Sequence, residues 1–344
     1  MRFLLIRLSS IGDIVHALPA VAALGDAFPE AEITWVVEER FAGLLEGNPF
    51  VRQLVRIDTL SWRGRWTSIA TMRQAARSLR ELRERTFDAA IDFQGLLKSA
   101  LIAWLSRSRE RVGLQRRWLR EPAAGAFYTE RVTAWGRRHA IEENLALVEH
   151  FGAPPTPPAR WKFPLPRTAA DDCVVSERLA SLDAADCVIV NPGGGWATKR
   201  WAPENYAELI RTLETEVPWR ILLTGSPPEE ALIQDVLRRS ESKRAVYFPS
   251  TLVQFIALAR RARLFVGGDT GPLHLAAAVG TPIVGIYGPT DPARNGPFAA
   301  ADIALSAAAP DDSAARFRVA ADLRGISVEA VRAAVHQRLR AAYG

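Results

Sequence analysis

The sequence predicts an α/β protein of two doubly wound halves, each a parallel sheet covered by helices. Three observations predict it. Short β-branched, apolar runs alternate with helical patterns from one end of the chain to the other, as βαβ units require. Pro154, Pro155, Pro157, Pro158, Pro164 and Pro166 crowd one stretch, where missing amide donors and extended backbone make a linker. And 344 residues suit two domains of ordinary size better than one.

In chain order, the first-half strands are expected at Phe3–Leu8, Ile33–Val37, Leu54–Ile57 and Phe87–Phe93, with helices at 17–28, 66–85, 95–107 and 139–151. The second-half strands are expected at Cys187–Asn191, Arg220–Thr224, Ala245–Phe248, Leu264–Gly267 and Pro282–Tyr287. Helices at 203–216, 228–240, 251–261 and 273–279 separate them. The linker then divides the chain into domains 1–160 and 161–326. A closing segment, 327–344, is helical and free to pack back across the linker. Ligands of parallel α/β sheets bind at the carboxyl ends of strands, so two facing sheets would make a cleft lined by those loops.

Composition narrows the class. The chain is 48% hydrophobic and 24% charged, ordinary for a globular enzyme. No apolar run reaches the roughly 18 residues needed to cross a bilayer. The first eight residues carry an arginine inside their apolar run and lack a small-residue cleavage site, so they read as a first strand, not a signal peptide. Cys173 and Cys187 form no metal pattern and no disulfide framework, which fits a reducing cytoplasm. Residues 1–160 hold 23 Lys and Arg against 18 Asp and Glu, so they carry +5 of the formal charge of +6. Residues 52–85 alone hold nine arginines and three acids, with Trp62 and Trp66 among them. That stretch is either a solvated helix face in an arginine-rich chain or a surface for an anionic partner. No nucleic-acid module or base-stacking platform accompanies it, so nucleic acid is not expected as a partner.

Four strand-end loops carry chemistry. The first, Ser9-Ser10-Ile11-Gly12-Asp13, turns at Gly12. Asp13 either caps the following helix or serves as a general base within reach of an acceptor hydroxyl. The second is Asn191-Pro192-Gly193-Gly194-Gly195-Trp196-Ala197-Thr198-Lys199-Arg200-Trp201. Its glycines let backbone amides approach a phosphate and Lys199 adds a point charge, although it is neither a Walker loop nor a G-x-G-x-x-G fingerprint. The third, Gly267 to His274, joins a strand to a helix with Pro272 at the helix start. Free amides there bind anions, Thr270 offers a hydroxyl, and His274 is either a ligand or a structural hydrogen-bonding group. The fourth, Gly225-Ser226-Pro227-Pro228-Glu229-Glu230, places a carboxylate that could accept ribose hydroxyls.

These residues resemble glycosyltransferase family 9, the heptosyltransferases, over nearly the whole chain. Asp269-Thr270-Gly271-Pro272-Leu273-His274-Leu275-Ala276-Ala277-Ala278, followed by Tyr287-Gly288-Pro289-Thr290-Asp291-Pro292, looks like that family's C-terminal signature. Ser9-Ser10-Ile11-Gly12-Asp13, Ile91-Asp92-Phe93-Gln94-Gly95-Leu96-Leu97-Lys98-Ser99 and Arg120-Glu121-Pro122 look like the type I branch of the family. The triglycine loop with Lys199-Arg200-Trp201 looks more like the type II branch.

The resemblance implies a GT-B fold, with Rossmann-like acceptor and donor domains. It implies metal-independent, inverting transfer of L-glycero-D-manno-heptose from ADP-heptose to a Kdo sugar of Kdo-lipid A, with no cofactor. The alternative is a type II enzyme or a family member with another sugar acceptor. It makes Asp13 the base and Lys199 its catalytic partner. Gly193, Gly194, Lys199, Glu229, Asp269, Thr270, Gly271 and His274 become the donor site, and Ser10, Gly12, Arg63, Gln94, Lys98 and Arg120 the acceptor side. It also implies a cytoplasmic enzyme in peripheral contact with the inner membrane.

Overall fold

The computed structural model describes residues 1–59, 80, 82–195, 200–288, 290–307 and 323–344. The helix expected at 66–85 lies mostly outside these residues, as do Arg63 and Lys199. The chain divides into two compact units, Met1–Pro166 and Arg167–Gly344.

The first unit holds six parallel strands: β1 (Arg2–Ile6), β2 (Glu32–Glu38), β3 (Gln53–Ile57), β4 (Ala89–Asp92), β5 (Glu110–Leu114) and β6 (Glu130–Val132). Their order is β3-β2-β1-β4-β5-β6. Phe3, Leu4, Leu5 and Ile6 of β1 are all fully buried, because helices cover both faces of a parallel sheet. Burying each such side chain contributes about 1.5–3 kcal/mol. The covering helices include α1 (Ile11–Ala27), α2 (Leu97–Leu105) and α3 (Ala140–Glu149), with α1 packed on α3. The end of the proline-rich stretch is tied to this unit: Lys162 pairs with Asp26 at 2.7 Å and Asn48 Nδ2 donates to Pro164 O at 3.1 Å.

The second unit begins with α4 (Ala169–Ser181). Its strands are β7 (Cys187–Asn191), β8 (Arg220–Leu223), β9 (Ala245–Tyr247), β10 (Leu264–Gly268), β11 (Ile283–Tyr287) and β12 (Ile303–Ser306), in the order β12-β11-β10-β7-β8-β9. Counted from its own first strand, this repeats the arrangement of the first sheet. Both are the doubly wound order whose direction reverses beside the first strand. Between the strands run α5 (Pro203–Glu216), α6 (Glu230–Ser240), α7 (Leu252–Ala259) and α8 (Gly271–Ala278). A short helix, α9 (Pro292–Asn295), follows β11, and α10 (Val328–Tyr343) closes the chain. Val331 and Val335 of α10 are buried in the core of this unit, and Arg338 Nε donates to the buried Asp302 carboxylate at 2.9 Å. Cys187 lies in the core, where burial pushes its thiol up to about 12, whereas Cys173 is exposed on α4.

Three strands and two helices exceed the expectation: β5, β6, β12, α4 and the short α9. The first helix also begins six residues earlier than expected, at Ile11. Asp13 is therefore not its N-cap. The cap is Ser10, and Asp13 is the third helical residue, reaching back to accept the Ser10 amide at 3.0 Å, one half of a capping box.

Candidate active site

In each sheet the loops singled out by sequence include those that leave the two strands flanking the reversal of strand order, β1 and β4 in the first unit and β7 and β10 in the second. The Asp13 carboxylate accepts the Ser10 amide and hydroxyl at 3.0 and 2.9 Å and forms an ion pair with Arg7. Its side chain is 36% exposed, so a solute can reach it. Arg7 is only 12% exposed and also donates to Phe93 O, which joins the β1 loop to the β4 loop. Gln94 strengthens that junction, its Oε1 accepting the Leu8 amide at 2.8 Å. Gly12 is buried beneath the turn.

The β4 loop is organised by Asp92. This buried carboxylate accepts the Gln94 and Gly95 amides at 2.8 and 3.1 Å, the Ser99 hydroxyl at 2.8 Å and the Tyr128 hydroxyl at 2.7 Å. Burial pushes its carboxyl above the ordinary 3.8, and those donors oppose the rise. Burial and the nearby Asp92 likewise push the Tyr128 phenol up. Gly95 has φ +67°, and a Cβ there would come within 2.9 Å of Leu119 Cδ2, so the loop requires glycine.

Lys98 lies 3.9 Å from Glu38 at the end of β2, a buried carboxylate that also accepts the Thr59 amide at 3.0 Å. Arg120 is exposed after β5. Its neighbour Glu121 accepts the Leu97 amide at 2.6 Å and donates its own amide to Gly95 O at 3.4 Å. Ser10, Gly12, Asp13, Gln94, Lys98 and Arg120 thus all sit at or beside carboxyl ends of strands in one sheet.

In the second unit the loops leave β7, β8 and β10. Glu229 closes two of them together: its carboxylate accepts the Gly194 amide at 2.7 Å, the Ser226 amide at 2.8 Å and the Ser226 hydroxyl at 2.6 Å. A Cβ on Gly193 would fall against Glu229 Oε1, so glycine is what admits this carboxylate. A carboxylate has about four acceptor sites. Among the described residues these three donors occupy three of them. Arg200 Nε donates to Gly194 O at 2.8 Å and steadies the other side of the loop.

At β10, Asp269 and His274 are both nearly buried and their side chains meet at 3.0 Å. Thr290 Oγ1 donates to the second oxygen of Asp269 at 2.7 Å, linking the two blocks of the C-terminal signature. The carboxylate partner fixes which imidazole nitrogen of His274 faces it. Thr270 occupies the N-cap of α8 without capping it, and its buried hydroxyl has no hydrogen-bond partner among the described residues. Gly271 opens the helix and Pro272 follows, one position later than expected. Unused amides and the dipole make such a start favourable for an anion.

Sequence reasoning missed Arg7, Glu38, Asp92 and Thr290 as site-building residues. The arginine inside the first apolar run was the visible signal for Arg7. The other three join residues far apart in sequence. Among the described residues no three His, Cys, Asp or Glu side chains gather where they could hold a metal ion.

A model of glycosyltransferase family 9 (heptosyltransferase) matches residues 75–319. Lipopolysaccharide heptosyltransferase 1 of Pseudomonas aeruginosa is 32% identical over 315 residues, covering 90% of this chain and 85% of that protein. The enzyme of the same name from Escherichia coli K12 is 30% identical over 309 residues, covering 87% of this chain and 91% of that protein. Among solved structures, E. coli heptosyltransferase WaaC with ADP superposes with a TM-score of 0.77 at 27% identity, covering 98% of this chain and all of that one. A family 9 glycosyl transferase from Veillonella parvula, 23% identical, shares the fold with a TM-score of 0.83 over 99% of this chain and 97% of its own. The two sheets are those of the GT-B fold, and the chain belongs to glycosyltransferase family 9, the heptosyltransferases.

Proposed function

We propose that this enzyme transfers L-glycero-D-manno-heptose from ADP-heptose to a Kdo residue of Kdo-lipid A, with inversion at the anomeric carbon. The observation that carries the reading is a reachable carboxylate, Asp13, held at the end of β1 by Ser10 and Arg7 in a chain similar over 90% of its length to lipopolysaccharide heptosyltransferase 1. In the reaction, Asp13 takes the proton of the acceptor hydroxyl as its oxygen attacks the anomeric carbon. The bond from that carbon to the β-phosphate oxygen breaks, and ADP leaves. Gly193, Gly194, the α8 start with Thr270 and Gly271, and Lys199 receive the diphosphate. Glu229 takes a ribose hydroxyl. Asp269 and His274 hold the α8 loop in shape. Ser10, Gly12, Arg63, Gln94, Lys98 and Arg120 bind the acidic acceptor sugar.

No metal or cofactor enters this scheme, since Lys199 and the helix start offset the charge of the leaving group. The acceptor is a glycolipid, so the enzyme works in the cytoplasm in peripheral contact with the inner membrane. No helix among the described residues is long and apolar enough to cross it. A type II activity, favoured by the triglycine loop, would instead place the sugar on a heptose.

The test is a panel of nucleotide-sugar donors and of Kdo and heptosyl-Kdo acceptors. ADP release is followed, products are weighed by mass spectrometry, and the new anomeric centre is read by NMR. ADP-heptose with the Kdo acceptor should give inverted product. Transfer only from another donor, or only to the heptosylated acceptor, would replace this reading.

A further inference from the structure

The strongest unexplained feature lies on α2, immediately after the Gln94 loop. Among the described residues, seven large apolar side chains are exposed, and three belong to this nine-residue helix: Leu97 (45%), Leu101 (42%) and Trp104 (53%). At 3.6 residues per turn, positions 97, 101 and 104 fall within about 60° of arc. They make one apolar stripe. The opposite face, Ser99, Ala100 and Ala103, is buried. Scattered exposed apolar residues are normal, but a contiguous stripe marks a contact surface.

The stripe continues beyond the helix. Trp104 meets Phe127 edge-on, with ring centroids 6.5 Å apart. Phe127 ends the turn 122–127, which packs on α2 and on the turn 116–118. From that second turn the Arg117 guanidinium lies 3.8 Å from the Trp118 ring and 4.9 Å from Trp135, which is 76% exposed. An aromatic with an exposed edge and a cation stacked on it suits the boundary between hydrocarbon and headgroups.

Charge identifies the occupant. Residues 97–121 hold seven Lys and Arg and two acids, Glu110 and Glu121; Glu110 is paired with His150 at 2.6 Å and Glu121 accepts the Leu97 amide at 2.6 Å. Arg107, Arg109, Arg116, Arg117 and Arg120 are all exposed. Arg107 follows the α2 C-terminus with φ +58°, a conformation that glycine or asparagine normally supplies there.

We propose that the exposed face of α2, with its flanking arginines, docks this chain on an anionic lipid monolayer, with Leu97, Leu101 and Trp104 entering the headgroup boundary. The inference rests on the reading above that the acceptor is a glycolipid, because the stripe begins one residue before Lys98 of the candidate acceptor loop. Apolar insertion and electrostatic attraction then act together, as in other surface-lying helices.

The experiment uses the full chain and vesicles of phosphatidylethanolamine with one-quarter phosphatidylglycerol, against vesicles of phosphatidylcholine. Binding is measured by co-sedimentation and by quenching of tryptophan fluorescence with brominated acyl chains. Wild type should bind the anionic vesicles and be quenched. Leu101→Gln/Trp104→Ser should bind at least about tenfold more weakly and lose quenching. Arg107→Gly removes a charge while easing the backbone, so it should fold well and also bind more weakly. Both variants should keep wild-type turnover on a deacylated, water-dispersed Kdo acceptor, since neither changes a residue of the candidate site. Unchanged vesicle binding in the double variant overturns the proposal. So does binding that salt abolishes equally in wild type and double variant, or a change of oligomeric mass with vesicle binding intact, which would assign the stripe to a protein partner. Absence of heptose transfer by wild type would remove the glycolipid reading, and the vesicle result would still decide the surface.

Discussion

Replacing Asp13 by Asn tests the catalytic reading most directly, because the structure separates what the carboxylate does for the fold from what it would do for the reaction. One oxygen accepts the Ser10 amide and hydroxyl, and the other pairs with Arg7. The Asn side chain keeps one carbonyl oxygen, so it can still accept the Ser10 amide and hold the start of α1. It loses the charge opposite Arg7. An ion pair with one partner a third exposed contributes no more than about 1 kcal/mol, and Arg7 keeps its bond to Phe93 O. Asp13→Asn should therefore cost about 1–2 kcal/mol of stability and leave ADP-heptose binding unchanged, since the residues proposed to bind the donor belong to the other unit. General-base catalysis typically contributes 10²–10⁴-fold, or about 3–5 kcal/mol of barrier. The variant should thus show kcat lowered by at least about a hundredfold. The assay is single-turnover transfer at saturating donor and acceptor, which isolates the chemical step from product release. A single-turnover rate within threefold or so of wild type would remove Asp13 from the mechanism and leave it a helix-capping residue.

Gly193→Ala should push Glu229 off the Gly194 amide, since the new Cβ would meet its Oε1. Losing about one hydrogen bond at the donor loop predicts roughly a tenfold rise in the dissociation constant for ADP, measured by calorimetry. An unchanged constant would show that Glu229 does not shape the donor loop. Asp92 carries a pH signature. Its folded carboxyl is raised by burial, so the unfolded chain ionises first and stability falls as pH rises from about the ordinary 3.8 to the raised folded value. Asp92→Asn lacks that slope and loses part of the four-donor network, at a cost of about 1–3 kcal/mol. Urea unfolding of both proteins at a series of pH values should show the wild-type advantage shrinking with pH across that window, and a constant difference would contradict it. On the proposed scheme, in which Lys199 and the start of α8 offset the leaving-group charge, removal of divalent ions with a chelator should leave kcat within about twofold. Strict recovery by one added metal would overturn that assignment.

Nine strands were legible because a strand covered by helices on both sides is a continuous apolar run, as in Phe3 to Ile6 and Cys187 to Asn191. The three that were not lie toward the sheet edges. In β12 no side chain is fully buried, β6 has three residues and none fully buried, and the five residues of β5 include Glu110, Arg111 and Gly113. Where few side chains of a strand are buried, its sequence lacks the apolar run that marks a covered strand. Helix α1 was expected to start late because Gly12 reads as a turn, and the Ser10–Asp13 box that begins it also fits a loop. The loops were legible for a related reason: a strand end followed by glycine and a helix start is local. Their partners were not local. Glu229 meets Gly194 across 35 positions and Tyr128 meets Asp92 across 36, separations that only the strand order brings together.

That strand order, used twice, explains why two such different sets of residues can serve one reaction. Each sheet opens its loops where the order reverses, a position set by topology and indifferent to sequence. In the second unit this position is filled by glycines, a helix start and one carboxylate that clamps two loops. Those are backbone donors suited to a diphosphate, whose oxygens accept from any amide that comes close. In the first unit the same position is filled by side chains, with Asp13 and Arg7 at β1, Gln94 at β4 and Lys98 against Glu38 at β2. Such groups can distinguish one sugar hydroxyl from the next and can take a proton from it, which amides cannot. Specificity for the acceptor should therefore follow substitutions in residues 7–13 and 92–98, whereas substitutions in 193–195 and 269–274 should change the affinity for ADP whichever acceptor is used. Exchanging the 92–98 loop between a type I and a type II enzyme, and measuring transfer to Kdo and to heptosyl-Kdo acceptors beside ADP affinity, separates the two effects. A loop exchange that altered ADP binding and left acceptor preference intact would reverse this division of roles between the two units.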